Sequence, residues 1–262
     1  MVPLPDAPPD PAPRLLALGD GAWTVEFGDA IDPALNARVM ALADAVRRAG
    51  DDAALAGVVD VVPTFRSLTV HFDPLAADAD ALGARLLALA HDAAGTVHRG
   101  RRWRLPVCFD AEFAPDLPAL AQQRGLAVDE VLQRLTAATF RVYMIGFMPG
   151  FPYLGGLPPE LATPRLAVPR KRVPARSMAV AGTMCCVYPW DSPGGWNLLG
   201  RTPLPLFDAA HGDEPAWLAA GDELCWTAVD RATHDRLRAD ADAGRLRRAD
   251  FLADDGAHAC PA

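Results

Sequence analysis

The sequence predicts a mixed α+β chain, with a small N-terminal α/β sandwich over residues 14–98 followed by a β-rich domain over 99–230. Three observations carry this reading. The first half repeats a pattern of two strands and a helix, twice, which is how a small sandwich is built. The composition then changes at Arg99-Gly100-Arg101. From residue 140 to 227 the chain runs in short apolar stretches cut by Pro and Gly, the look of a β-barrel or β-sandwich with elaborate loops. At 262 residues and 51% hydrophobic, the chain can bury either one large core or two modest ones.

Residues 1–13 hold six prolines and no aromatic side chain, so they are expected to be a disordered tail. Strands are expected over 15–18 and 22–27, around the turn Gly19-Asp20-Gly21. Asp32-Pro33 then opens a helix with apolar positions at Leu35, Val39, Leu42 and Val46. A second strand pair follows over 57–62 and 67–72, the latter alternating Leu68, Val70, Phe72. A helix through Leu82, Leu86 and Leu89 ends near Gly95. Beyond the break, 103–109 reads as a strand, and 116–124 and 128–138 as short helices. Asp129 and Glu130 favour the first turn of the second of these. Residues 231–262 read as a charged tail, with one helix and then disorder.

Composition excludes several functions. No stretch approaches the ~20 apolar residues of a spanning helix, so no membrane association is expected. The opening residues lack the basic and apolar regions of a secretory signal, and five cysteines without a CxxC pair suggest reduced thiols. A cytoplasmic location is therefore expected. A net charge of −8 argues against nucleic acid as a partner. The six histidines show no metal-ligand spacing, so no metal is expected. Lys171 is the single lysine and lies outside any GxxxxGK[ST] loop, so nucleotide cannot be held by a P-loop.

Three segments of the second domain could carry chemistry. Residues 146–158 (GFMPGFPYLGGLP) hold four glycines and three prolines, which points to a fixed irregular loop presenting Phe147, Phe151 and Tyr153. That loop is either a pocket wall or a plug at a barrel end. Arg165, Arg170, Lys171, Arg172 and Arg176 form a +5 window without a carboxylate between Glu160 and Asp191. The window is either an anion site or a charged edge strand. In the third segment, Ser192-Pro193-Gly194-Gly195-Trp196 makes a tight turn with N–H groups to offer. Arg201 and Thr202 follow, and Arg201 supplies a fork of donors. Asp191 is either an acid–base group or a turn cap. Cys185 and Cys186 read as packing in an apolar strand. No catalytic residue can be named, and the expected substrate or anion contacts are Phe151, Tyr153, Arg165, Arg170, Lys171, Ser192, Gly194, Gly195, Trp196, Arg201 and Thr202.

GFMPGFPYLGGLP, PRLAVPRKRVPARS, AGTMCCVYPWDSPGGWNLLGRTPLPLFD and AGDELCW resemble signatures of the carboxyltransferase C/D-type family. This is the allophanate hydrolase subunit 1 or KipI group, and within it 5-oxoprolinase B-type members are the most similar. The N-terminal LGDGAWTVEFGDAIDPALNARVMAL and VVPTFRSLTVHFDP resemble the same family, so the likeness runs from about 14 to 230. It implies an N-terminal α/β domain and a cyclophilin-like β-barrel. Two departures stand out: Arg176 occupies a position where the family text has glycine, and Met184-Cys185-Cys186 replaces a polar Gln-Thr-Gly.

The resemblance implies one half of a two-part catalyst, namely a subunit of an ATP-dependent 5-oxoprolinase that opens 5-oxoproline to L-glutamate. ATP would bind only in the assembled complex, and the isolated chain would be inactive. The implied partners are a second carboxyltransferase-like subunit of the 5-oxoprolinase C type and a LamB/YcsF-type subunit. Two other roles share the same motifs. One is a KipI-type inhibitor of a sensor histidine kinase. The other is a component of a urea- or allophanate-type carboxyltransferase, whose biotin would come from a partner, since this chain has no attachment segment.

Overall fold

The structure is a computed structural model that describes residues 12–50, 52–93 and 100–253. The expected disordered N-terminus lies, through residue 11, outside the described residues, as do 254–262. The chain divides into two compact units, Met1–His98 and Arg99–Ala262.

In the first unit, strands β1 (Arg14–Ala17) and β2 (Ala22–Glu26) precede helix α1 (Pro33–Arg48). Strands β3 (Val58–Pro63) and β4 (Ser67–Phe72) precede helix α2 (Ala79–Asp92). The strands form one antiparallel sheet in the order β1-β2-β4-β3. Asp32 caps α1 by accepting from the N–H groups of Ala34 and Leu35, and Pro33 starts the helix without a donor to satisfy. Asp78 caps α2 in the same way. Leu68, Val70 and Phe72 alternate onto one face of β4, where they share a core with Val39, Leu42, Leu82 and Leu86 of the helices.

The second unit is built on a curled seven-stranded sheet. Its strands are β5 (Arg102–Val107), β6 (Thr139–Ile145), β7 (Pro152–Gly155), β9 (Ser177–Ala181), β10 (Met184–Val187), β12 (Asn197–Arg201) and β13 (Glu223–Ala228). Their order is β12-β9-β10-β7-β6-β13-β5, antiparallel except for the parallel β13–β5 pair. The two outer strands meet at one end, where Cys108 and Arg201 exchange both backbone hydrogen bonds at 2.9 Å. A separate ribbon pairs β8 (Arg170–Val173) with β11 (Ser192–Gly194). Helices α3 (Leu117–Arg124) and α4 (Val128–Ala137) add Leu117, Leu120, Val131 and Leu135 to the core.

Several expectations differ from the fold. Residues 152–155 form a central strand rather than loop, because Pro152 occupies the first strand position, where the ladder tolerates it. Ser192-Pro193-Gly194 is likewise strand rather than tight turn. Cys108, Cys185 and Cys186 are buried free thiols, but Cys225 is disulfide-bonded, so not every thiol is reduced. The helix expected in the charged tail is α5 (Arg231–Asp242), but a 3-10 turn over Arg248–Phe251 follows where disorder was expected. That segment is tied to the second unit. Arg248 donates to the carbonyls of Glu214, Pro215 and Ala216, and Phe251 packs on Trp217.

Candidate functional site

The expected site residues fall into three groups. The first is aromatic. Phe151 is buried and meets Phe147, Tyr153 and Tyr188 with ring centroids 5.4, 5.0 and 5.2 Å apart. Trp196 closes the group at 6.0 Å from Tyr153, and the exposed Arg165 guanidinium sits 5.7 Å from the Trp196 ring centroid. Tyr188 fills the space where a Cβ on Gly194 would lie, so only glycine fits there. Cys186 is the ladder partner of Tyr153, and burial pushes its thiol and that of Cys185 well up. Neither supplies a thiolate, in keeping with their reading as packing residues.

The second group is the basic window, and its charge is largely neutralised by carboxylates distant in sequence. Arg170 Nη2 donates to Asp116 Oδ1 at 2.6 Å, while the other oxygen of Asp116 accepts from the Leu198 N–H. Arg172 Nε donates to Asp191 Oδ2 at 2.7 Å. Arg176 Nη2 donates to Asp242 Oδ1 of α5, and its Nη1 donates to the Pro203 carbonyl, both at 2.5 Å. Lys171 is exposed. Asp191 also accepts from the Ala175 N–H at 2.6 Å; this bond and Arg172 hold its carboxyl below the usual carboxylate range. Asp191 is thus an ionised brace across the 172–176 segment. It neither caps its own backbone nor stands ready as an acid.

The third group gathers around Phe113. Arg201 is half-buried, with its guanidinium carbon 4.4 Å from the Phe113 ring centroid. Among the described residues it makes no side-chain hydrogen bond or ion pair, and its Nε is buried without an acceptor. Burial pushes its guanidinium pKa down. Arg231 of α5 lies 4.5 Å from the same ring, but it is held by Glu112 at 2.7 Å and Asp235 at 2.9 Å. The His234 ring stands 4.6 Å from Phe113. Ser177 is the ladder partner of Arg201, and its Oγ is buried without a partner among the described residues. The Ser192 Oγ is in the same condition.

Thr202 is buried in the turn after β12, where its Oγ1 accepts from the Leu204 N–H at 3.3 Å. The Gly195 carbonyl accepts from the Leu166 N–H at 2.7 Å. The structure therefore brings Phe151, Tyr153, Trp196 and Arg165 together and leaves Arg201 in other company. Sequence reading missed Phe113, Arg231, His234 and Asp235. A faint signal was present, because Arg231, Asp235 and Arg238 recur at helical spacing with His234 beside them. Chemically, a half-buried guanidinium on an aromatic face, without an ion pair among the described residues, is suited to a small carboxylate or other oxyanion.

Residues 13–218 match the family described as "Carboxyltransferase domain, subdomain C and D". The chain is 37% identical over 219 residues to the B component of 5-oxoprolinase from Bacillus subtilis (strain 168), covering 78% of this chain and 88% of that protein. It is 34% identical over 212 residues to the 5-oxoprolinase B component of Escherichia coli O157:H7, covering 80% and 94%. The crystal structure of TTHA0988 superposes with a TM-score of 0.69 at 36% identity over 79% of this chain. The match spans only 40% of the TTHA0988 chain. The K. lactis urea amidolyase, at 21% identity and a TM-score of 0.71, shares the fold over 95% of this chain and 16% of its own. With most of its length matched in this way, the chain belongs to the carboxyltransferase domain, subdomain C and D family.

Proposed function

We propose that this chain is the B-type component of an ATP-dependent 5-oxoprolinase, which opens the 5-oxoproline lactam to L-glutamate. It acts in the cytoplasm with a second carboxyltransferase-like subunit of the 5-oxoprolinase C type and a LamB/YcsF-type subunit. In this reading the curled sheet is a cyclophilin-like barrel and the substrate carboxylate is recognised at one of its ends. The observation that carries the reading is Arg201, a half-buried guanidinium without an ion pair among the described residues, in a chain 37% identical to a 5-oxoprolinase B component.

The basic window does not form a triphosphate cradle. Three of its five cations already face Asp116, Asp191 and Asp242. Nucleotide recognition therefore belongs to the assembled complex. The test is co-expression with a 5-oxoprolinase C-type subunit and a LamB/YcsF-type subunit. The expected result is a stable complex that releases glutamate from 5-oxoproline only with ATP and all three components. Subunits that elute separately at micromolar concentration, or a complex without glutamate release, would overturn the assignment. Inhibition of a sensor kinase by the lone chain would move it to the KipI-type role.

A further inference from the structure

Buried polar atoms without a partner among the described residues occur near the end of β12. The His234 side chain is 2% exposed and its Nδ1 lies 2.9 Å from Asp235 Oδ1. The bonds to His234 and Arg231 hold the Asp235 carboxyl below its usual range, so it is ionised and accepts the Nδ1 proton. That fixes the tautomer and leaves Nε2 as an acceptor, and Nε2 is buried without a partner among the described residues. Arg201 Nε and Ser177 Oγ are buried and unpartnered in the same neighbourhood. A buried polar atom without a partner costs about 1–3 kcal/mol, so Arg201 Nε and His234 Nε2 against one ring, with Ser177 Oγ on the ladder beside Arg201, mark a place where a ligand completes the bonding.

We propose that Arg201 and His234, both lying against the Phe113 ring, form one recognition site for a carboxylate that carries an N–H on the adjacent carbon. Arg201 takes the carboxylate and His234 Nε2 accepts the N–H. Ser177 Oγ, on the ladder beside Arg201, can meet a second carboxylate oxygen. His234 lies on α5, after the residues matched by the family, so it adds a specificity determinant outside the shared motifs. Helix α5 must lift slightly to admit the ligand. Its tethers are its one buried residue His234, the exposed Arg231–Glu112 pair and the partly buried Arg176–Asp242 clasp, and the clasp is the one that must yield. This inference rests on the reading of Arg201 as the substrate-carboxylate contact.

Calorimetry on the full chain, alone and in the assembled complex, tests it with 5-oxoproline, N-methyl-5-oxoproline and acetate. The wild type should bind 5-oxoproline at least five-fold more tightly than the N-methyl compound, and acetate more weakly than either. His234→Phe should bind the first two equally, whereas Arg201→Gln should lose both. Discrimination that persists in His234→Phe, or the absence of carboxylate binding in both forms, overturns the site. If His234→Phe does not fold, nitrogen NMR of the wild-type imidazole decides. Nε2 must shift with 5-oxoproline and stay in place with the N-methyl compound, and any other pattern overturns the proposal. Glutamate release by a complex lacking this discrimination would sink the His234 site alone. Discrimination in a complex that releases no glutamate would sink the enzymatic reading alone.

Discussion

Arg176 and Asp242 are joined across 66 residues by an ion pair of 2.5 Å, and Arg176 makes it from a left-handed backbone with φ 68°. Glycine adopts that conformation freely, whereas any residue with a Cβ is strained by about 1–2 kcal/mol. The glycine that the family resemblance implies at this position would have a backbone reason. The arginine here accepts the strain and returns two hydrogen bonds, one to Pro203 and one to α5.

Replacing Arg176 separates these contributions. Arg176→Ala keeps the strain and loses the clasp, so it should be the less stable variant. Arg176→Gly loses the clasp but relieves the strain, and should exceed the alanine variant by about 1 kcal/mol in urea unfolding. Both should speed proteolysis within 231–242. Equal stability of the two variants would show that the backbone at 176 is not strained.

Arg201→Lys should lower ATP-dependent glutamate release by the complex ten-fold or more, about 1.4 kcal/mol of transition-state stabilisation. Lysine keeps the charge but loses the planar fork and the stacking on Phe113. Thermal stability should fall by no more than the lost Phe113 contact, about 1 kcal/mol, since Arg201 has no side-chain hydrogen bond or ion pair among the described residues to lose. Arg170→Lys should behave oppositely, with reduced stability and near-normal turnover, because Arg170 anchors Asp116.

Asp222→Asn should destabilise the second unit by about 2–4 kcal/mol, measured by chemical denaturation. The buried Asp222 carboxylate accepts from the Arg101 and Ala219 N–H groups and from Trp103 Nε1 at 2.8–3.0 Å. An amide would turn a donor toward at least one of these donors.

The depressed carboxyl of Asp191 makes a signed prediction about pH. Because its folded pKa lies below the unfolded one, its stabilising contribution is full above the usual carboxylate range, near 4. That contribution is lost as pH falls through the depressed folded value. The stability difference between wild type and Asp191→Asn should therefore be constant at neutral pH and shrink below about pH 4. A difference that stays constant under acid would show that the Ala175 and Arg172 bonds do not act on the charged form.

The first unit was legible in the sequence because its signals are local. Asp32-Pro33 marks the start of α1, and Leu68, Val70 and Phe72 mark the buried face of β4. The basic window was harder to read. A run without acidic residues looks cationic in sequence, yet Asp116, Asp191 and Asp242 return to it from 54, 19 and 66 residues away. Arg201 stood out as a fork of donors, but its surroundings did not, since Phe113 and His234 come from a loop and a helix with no sequence link to β12. Short strands rich in Pro and Gly, such as β7 and β11, carry no period long enough to declare themselves.

The pairing of β5 has a consequence for the order in which the chain folds. Residues 102–107 lie beside 223–228, and Cys108 is bonded to Arg201, so the first strand of this sheet waits for the last. On a ribosome, β5 emerges more than a hundred residues before its ladder partner exists. Its edge must stay open until then, a high-contact-order arrangement that slows folding and invites aggregation. The first unit completes all its strand pairs by residue 72. Its sheet can therefore form while the second unit is still being synthesised.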